Sequence, residues 1–196
     1  MNEVPVVSNF KPRIGVLKKD LRHRFVNHDQ IVEHLKTRFP DYEVIGFHPP
    51  SLPDVEEVNI VSGLDLLITP SGGTSFTLQY LPDCASVIIG DVCWPSTKIA
   101  SFPSNGNEFL SYTGSLVKCM HVESHIWERM THLRRFYYVH PNITTVINDT
   151  PTNPHPSRPA FDYSYSALFE VLDPLVDKAL SSINAEIFDT ETSPSW

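Results

Sequence analysis

The sequence predicts an α/β protein, Rossmann-like in that short strands and helices alternate around a mostly parallel sheet. Two observations carry this prediction. Four apolar runs of strand length recur: RIGVL at 13–17, YEVIGF at 42–47, Leu64–Thr69 and ASVIIGD at 85–91. Helical spacing or turn residues fill the stretches between them. No GxGxxG dinucleotide fingerprint accompanies the pattern.

Residues 1–12 read as a flexible leader, and RIGVL follows as a short buried strand. KKDLRHRFVNHDQ is a polar loop. From about His28 to Phe39, the apolar residues Ile31, Val32, Leu35 and Phe39 recur at three- and four-residue spacing, which predicts a helix. Asn27 or Asp29 is placed to cap it, and Pro40–Asp41 stop it. After the second strand, Pro49, Pro50 and Pro53 make a stiff connection. Residues 54–63 fit a short helix before the third strand. Ser71 to Ser75 turn the chain, and Ser75–Tyr80 read as helical, ending at Pro82. The fourth strand closes at Asp91.

STKIASFPSNGNEF is loop-like, and Phe109–Met120 is ambiguous. HIWERMTHLRRFYYV, 125–139, reads as a helix whose Trp127, Phe136, Tyr137 and Tyr138 pack a core. Residues 13–140 thus make one domain. Residues 141–164 form a proline-rich connection, either an ordered wrap or a disordered linker. Residues 165–196 are a terminal helix and tail, the helix bent or split near Pro174.

With 196 residues, 41% hydrophobic and 19% charged, the chain can bury one substantial core and is marginal for two. Its formal charge of -8 argues against nonspecific nucleic-acid binding. A local basic group is nonetheless present in Lys11, Arg13, Lys18, Lys19, Arg22 and Arg24. No run of about 18 apolar residues predicts a membrane span, and MNEVPVVSNFKPR lacks the pattern of a signal peptide. Cys84, Cys93 and Cys119 form no disulfide framework or zinc spacing and read as buried thiols. Asn142 and Asn148 open glycosylation acceptor patterns, which matter only in the secretory route.

The stretch ITPSGGTSFTLQYLPD places glycines and hydroxyls at the carboxyl end of a strand, where open α/β sheets bind ligands. Gly72 and Gly73 let backbone approach a ligand closely, and N–H groups at the next helix start receive phosphate. Ser71, Thr74 and Ser75 add hydroxyl donors. Arg22 and Arg24 follow the first strand and supply countercharge in a fixed fork of donors. Asp91 lies at the same rim, placed to accept sugar or ribose hydroxyls, with Trp94–Pro95 beside it. The plainer alternative is a tight turn in which the glycines satisfy unusual dihedrals and the hydroxyls cap backbone. His121, His125 and His132 share a spacing compatible with one helical face, but a metal site needs all three turned inward, so hydrogen bonding is the better reading and no metal is expected. Ser71 or Ser75, Asp91 and His121 supply the residue types of a hydrolase, yet no G-x-S-x-G elbow is present.

Three features resemble the family 61 glycosyltransferases, the DUF563 group. They are RIGVL followed by KKDLRHRFVN, similar to the family's Arg-rich segment ending in R-x-x-N; the VIGF strand; and DLLITPSGGTSFTLQYLPDCASVI. The resemblance covers roughly residues 12–140 and implies a Rossmann-like domain like the carboxyl-terminal, donor-binding half of a GT-B enzyme. Carried across, Arg24 and Asn27 align with an arginine and an asparagine near the donor site. Gly72 aligns with the glycine of a His-Gly-Ala turn, with Ser71 where the family has histidine. Asp91 takes the acidic position at the end of the next strand.

What the resemblance implies is sugar transfer from a nucleotide sugar, UDP being the expected nucleotide, to a hydroxyl of a glycan or glycoprotein. No cofactor is implied, and a metal is often unnecessary in such sites. No catalytic residue is identified: the base in many GT-B enzymes comes from an amino-terminal domain, and a partner chain completing the cleft is one way to supply it. A non-catalytic nucleotide-sugar-binding or interaction domain is the alternative. The chain as given reads as cytosolic, or as Golgi or secretory if it is part of a longer anchored protein.

Overall fold

The computed structural model describes residues 11–20, 24–91, 93–95, 107–110, 116–119, 130–139, 147–148 and 163–191. Strand β1, Arg13–Leu17, is apolar because it is buried on both faces. Ile14 and Val16 enter one core; Leu17 enters the other. Helix α1, His28–Arg38, buries Ile31, Val32 and Leu35 on one stripe, with Asp29 in its first turn and Lys36 and Arg38 in its last, matching the helix dipole. It ends at Phe39, whose N–H donates to the Leu35 carbonyl at 2.8 Å.

Strand β2 is Glu43–Phe47, and a 3-10 turn over Pro49–Ser51 leads to helix α2, Asp54–Val61. Strand β3, Leu66–Pro70, is buried at every position. A 3-10 run over Gly73–Tyr80 then leads to β4, Ser86–Asp91. Strands β5 (Cys93–Pro95), β6 (Asn107–Leu110) and β7 (Leu116–Cys119) pair antiparallel in the order β5-β7-β6, with Cys93 opposite Cys119. Strand β8 is Arg134–Val139; β9 (Ile147–Asn148) and β10 (Tyr163–Ser164) pair antiparallel; helix α3 is Phe169–Glu191.

The main sheet has five strands in the order β2-β1-β3-β4-β8, all parallel. One face carries α1 and α3, whose Leu172, Leu175, Val176 and Ala179 are fully buried against Ile14, Val16, Leu66, Ile68 and Ile88. The other face carries Val61 of α2 and Leu78 of the 3-10 run against Leu67, Val87 and Ile89. Helices on both faces are what a parallel sheet requires. The α/β class and the parallel sheet expected from the sequence are therefore observed.

Several expectations are corrected. The helix expected over 125–139 is strand β8 where it is described, residues 134–139; 125–129 lie outside the described residues. Phe136 and Tyr138 point to one core and Tyr137 to the other, the two-residue period of a strand. Phe136, Tyr137 and Tyr138 do pack the two cores, as expected, while Trp127 lies outside the described residues. Phe109–Met120 contributes two strand segments. The terminal helix begins at Phe169 and runs unsplit through Pro174. Proline removes the bond to the Glu170 carbonyl, and Glu170 is exposed, so water can serve that carbonyl. Cys84 is exposed rather than buried, in a turn with φ 68°. The proline-rich connection falls outside the described residues except at β9 and β10.

Candidate functional site

The strand order creates a switch point. From β1 the chain passes outward to β2, then returns across the sheet to β3 on the other side of β1. The carboxyl ends of β1 and β3 are therefore neighbours whose following segments diverge, the position where open α/β sheets hold ligands. A cavity of about 330 Å³ lies beside it, lined by Lys18, Lys19, Asp20, Arg24, Asn27 and His28 among others.

Lys19 joins the two strand ends. Its Nζ donates to the Ser71 carbonyl at 2.7 Å, across 52 residues of chain. Gly72 makes room for it: with φ 114° and ψ -175° it adopts backbone that only glycine enters readily, and a Cβ there would collide with Lys19 Nζ. The 3-10 run starts immediately after, at Gly73, so its first N–H groups lack partners within the helix.

Both carboxylates at the cavity lie beside histidines. Asp20 Oδ2 lies 2.8 Å from His48 Nε2. Asp29 Oδ1 lies 2.9 Å from His28 Nδ1 and 3.5 Å from Lys18 Nζ. The hydrogen bond from His28, then the charge of Lys18, hold the Asp29 carboxyl below its ordinary pKa. His28 is buried, and its Nε2 lies 3.0 Å from the Val16 carbonyl, so the ring ties α1 to the end of β1. Arg24 Nη1 donates to the Asp20 carbonyl at 2.9 Å, four residues back.

The sequence-chosen residues meet this geometry unequally. Arg24 and Asn27 line the cavity. Asn27, however, spends its amide on the backbone of Ala167, with Nδ2 donating to the carbonyl at 2.9 Å and Oδ1 accepting the N–H at 2.8 Å. Ser71 is fully buried, its N–H bonded to the Gly90 carbonyl at 2.9 Å. Gly72 fits the tight-turn reading by its dihedrals and also admits Lys19. For Gly73, Thr74 and Ser75 the backbone starts the 3-10 run, and Asp91 ends β4 opposite Val139 at the same rim. Arg22 lies outside the described residues, as do His121 and His125; His132 is exposed. Sequence reasoning passed over Lys18, Lys19 and His28 as site residues. The available signal was two lysines directly after a strand, at the end where such sheets bind ligands.

Residues 2–88 match the Glycosyltransferase 61 family. The matched stretch contains β1 through the middle of β4, and so the whole cavity and the glycine turn. The family resemblance read from the sequence is borne out, and glycosyl transfer is the general activity it supports. The carboxyl-terminal detail is not supported, because the match lies in the amino-terminal half of this chain and ends well short of residue 140. No curated protein matches the chain. Among the described residues, no helix is long and apolar enough to cross a membrane, and no cluster of His, Cys, Asp or Glu is fit to hold a metal.

Proposed function

We propose that the crevice at the carboxyl ends of β1 and β3 binds the diphosphate of a nucleotide sugar, UDP being the expected nucleotide, and that the chain is the Rossmann-like donor-binding part of a GT-B-type glycosyltransferase. The observation that carries this is Lys19, held against Gly72 at the switch point with Lys18 and Arg24 beside it. Three cations converge where the sheet order favours a ligand; of the two nearby carboxylates, Asp20 faces His48, and Asp29 is shared between His28 and Lys18. Arginine and lysine make charge-assisted bonds to phosphate oxygens. In transfer, they stabilise the charge that builds on the diphosphate as the glycosidic bond to it breaks. The acceptor is a glycan or glycoprotein hydroxyl. Its proton goes to a base supplied from across the cleft, by a further domain or a partner chain. We assign Asp91, the last residue of β4, to accept donor hydroxyls.

Calorimetric titration with UDP and UDP-sugars tests the reading. Binding that weakens with added salt and falls in Lys19→Ala and Arg24→Ala is expected; no binding to the folded chain sinks it. A second reading, a nucleotide-sugar-binding domain without catalysis, is favoured by the structural commitments of Asn27, His28 and Ser71. Donor binding with neither transfer nor donor hydrolysis, across a panel of glycan acceptors, would decide for it.

A further inference from the structure

The wall of the cavity that carries Arg24 is held by a segment far along the chain. Tyr165 N–H donates to the Arg24 carbonyl at 3.1 Å, and Val26 N–H donates to the Tyr165 carbonyl at 3.0 Å. These bonds make a parallel bridge between Phe25 and Tyr165. Two residues on, Asn27 and Ala167 exchange the amide pair already described, across 140 residues. Asn27 occupies the cap position of α1 yet makes no side-chain bond to the helix. An asparagine that forgoes its cap, a bond usually worth about 1 kcal/mol, is committed to the strap instead.

Packing reinforces the strap from beneath. The Phe25 ring meets Tyr165 edge-on at 5.4 Å, and Tyr138 stacks on Tyr165 at 5.6 Å. The Tyr138 hydroxyl accepts the Leu168 N–H at 2.8 Å. Gly90 leaves the space these rings fill: a Cβ there would meet Phe25 and, at 2.6 Å, the Tyr165 hydroxyl. Residues 165–168 are thus bound on one side to the cavity wall and on the other to β8.

We propose that Asn27 is a positioning residue, which latches the strap at 165–167 to residues 24–27 and thereby fixes Arg24 at the cavity. The strap becomes part of the ligand site without touching ligand. This rests on the reading that the cavity takes a diphosphate.

The experiment compares the full chain with Asn27→Ala, Asn27→Asp, Ala167→Pro and Arg24→Ala. Each is titrated with UDP and with uridine, which lacks the phosphates, and amide exchange is followed at Val26 and Tyr165 in all of them and at Ala167 in those that keep its N–H. Asn27→Ala should weaken UDP about tenfold and leave uridine unchanged, with faster exchange at the strap. Ala167→Pro removes the N–H that Asn27 accepts, and should reproduce the loss with Asn27 intact. On the Arg24→Ala background, Asn27→Ala should add nothing, because the effect runs through Arg24. Asn27→Asp keeps the acceptor and the size of the side chain, and should fall between; it serves if the alanine variant does not fold. A loss of UDP affinity in Asn27→Ala that Ala167→Pro does not share, with exchange unchanged, would make Asn27 a direct ligand and overturn the proposal. Equal losses for UDP and uridine would overturn it too. If the wild type does not bind UDP, the diphosphate reading fails, and the latch then stands or falls on exchange alone: unaltered protection in Asn27→Ala removes it.

Discussion

Replacing Gly72 by alanine strikes the candidate site at its tightest point. Two costs follow from the structure. At φ 114° and ψ -175° an alanine is held in backbone that side chains other than glycine avoid, a strain of about 1–3 kcal/mol. Its Cβ also collides with Lys19 Nζ, which must leave the Ser71 carbonyl it now meets at 2.7 Å. A hydrogen bond from a charged group is worth roughly 1.5–3 kcal/mol, and this one is partly solvated, so the lower end applies. The two costs overlap, because backbone relaxation relieves both, and about 2–4 kcal/mol is the expected loss. For a chain of this size that lowers Tm by roughly 4–16 °C. Urea unfolding of wild type, Gly72→Ala, Lys19→Ala and the double variant is the assay. Removing Lys19 relieves the collision but not the dihedral strain, so the double variant should be more stable than the sum of the single changes by about 1–2 kcal/mol. A Gly72→Ala loss below about 0.5 kcal/mol would refute the strain argument. Strict additivity would refute the contact between the lysine and the turn.

Three further outcomes are expected. Gly90→Ala forces a methyl against Phe25 and Tyr165, and should cost about 1–3 kcal/mol by overpacking, read as a lower urea midpoint. Burial pushes the Tyr138 hydroxyl up to about 12, with the hydrogen bond from Leu168 opposing and Glu170 adding to the rise. The folded state therefore holds this proton more tightly than the unfolded chain, whose tyrosine titrates near 10. Stability from this group is intact below about pH 10 and declines as pH climbs toward about 12. Unfolding of wild type and Tyr138→Phe across that window, with tyrosinate absorbance as a direct readout, checks the sign; a decline that persists undiminished in the phenylalanine variant contradicts the assignment. Leu175→Ala empties a fully buried position between α3 and the sheet, and should destabilise by roughly 2–5 kcal/mol in calorimetric melting. A near-neutral result would mean that α3 is not integral to this core.

The elements of the main sheet differ in how plainly the sequence announces them. Strands β1 to β4 are legible because both faces of a parallel sheet are covered, so each strand is a short run of apolar residues whatever its neighbours. Helix α1 is legible because Ile31, Val32 and Leu35 must share one stripe. Strand β8 is misleading. RRFYYV carries charge and aromatic bulk in no clear period, and pairing with β4 alone makes Tyr137 and Tyr138 face opposite cores. The site divides in the same way. The glycine turn after β3 is a local matter of dihedrals and shows in the sequence. The commitment of Asn27 to Ala167 and of Lys19 to Ser71 does not, because each partner lies far along the chain.

The sequence by itself therefore determined the α/β class, the approximate places of the first four strands, and a glycine turn and basic loop at strand ends. Those features follow from local periodicity and backbone sterics, which act over a few residues. Only the tertiary structure decided the order β2-β1-β3-β4-β8, and with it the switch point that brings the basic loop against the glycine turn. It also decided which polar side chains face the cavity and which are spent on holding it. The physical reason is that a buried hydrogen-bonding group must find a partner wherever the chain brings one. For Asn27 that partner lies on the last strap of the fold, 140 residues away.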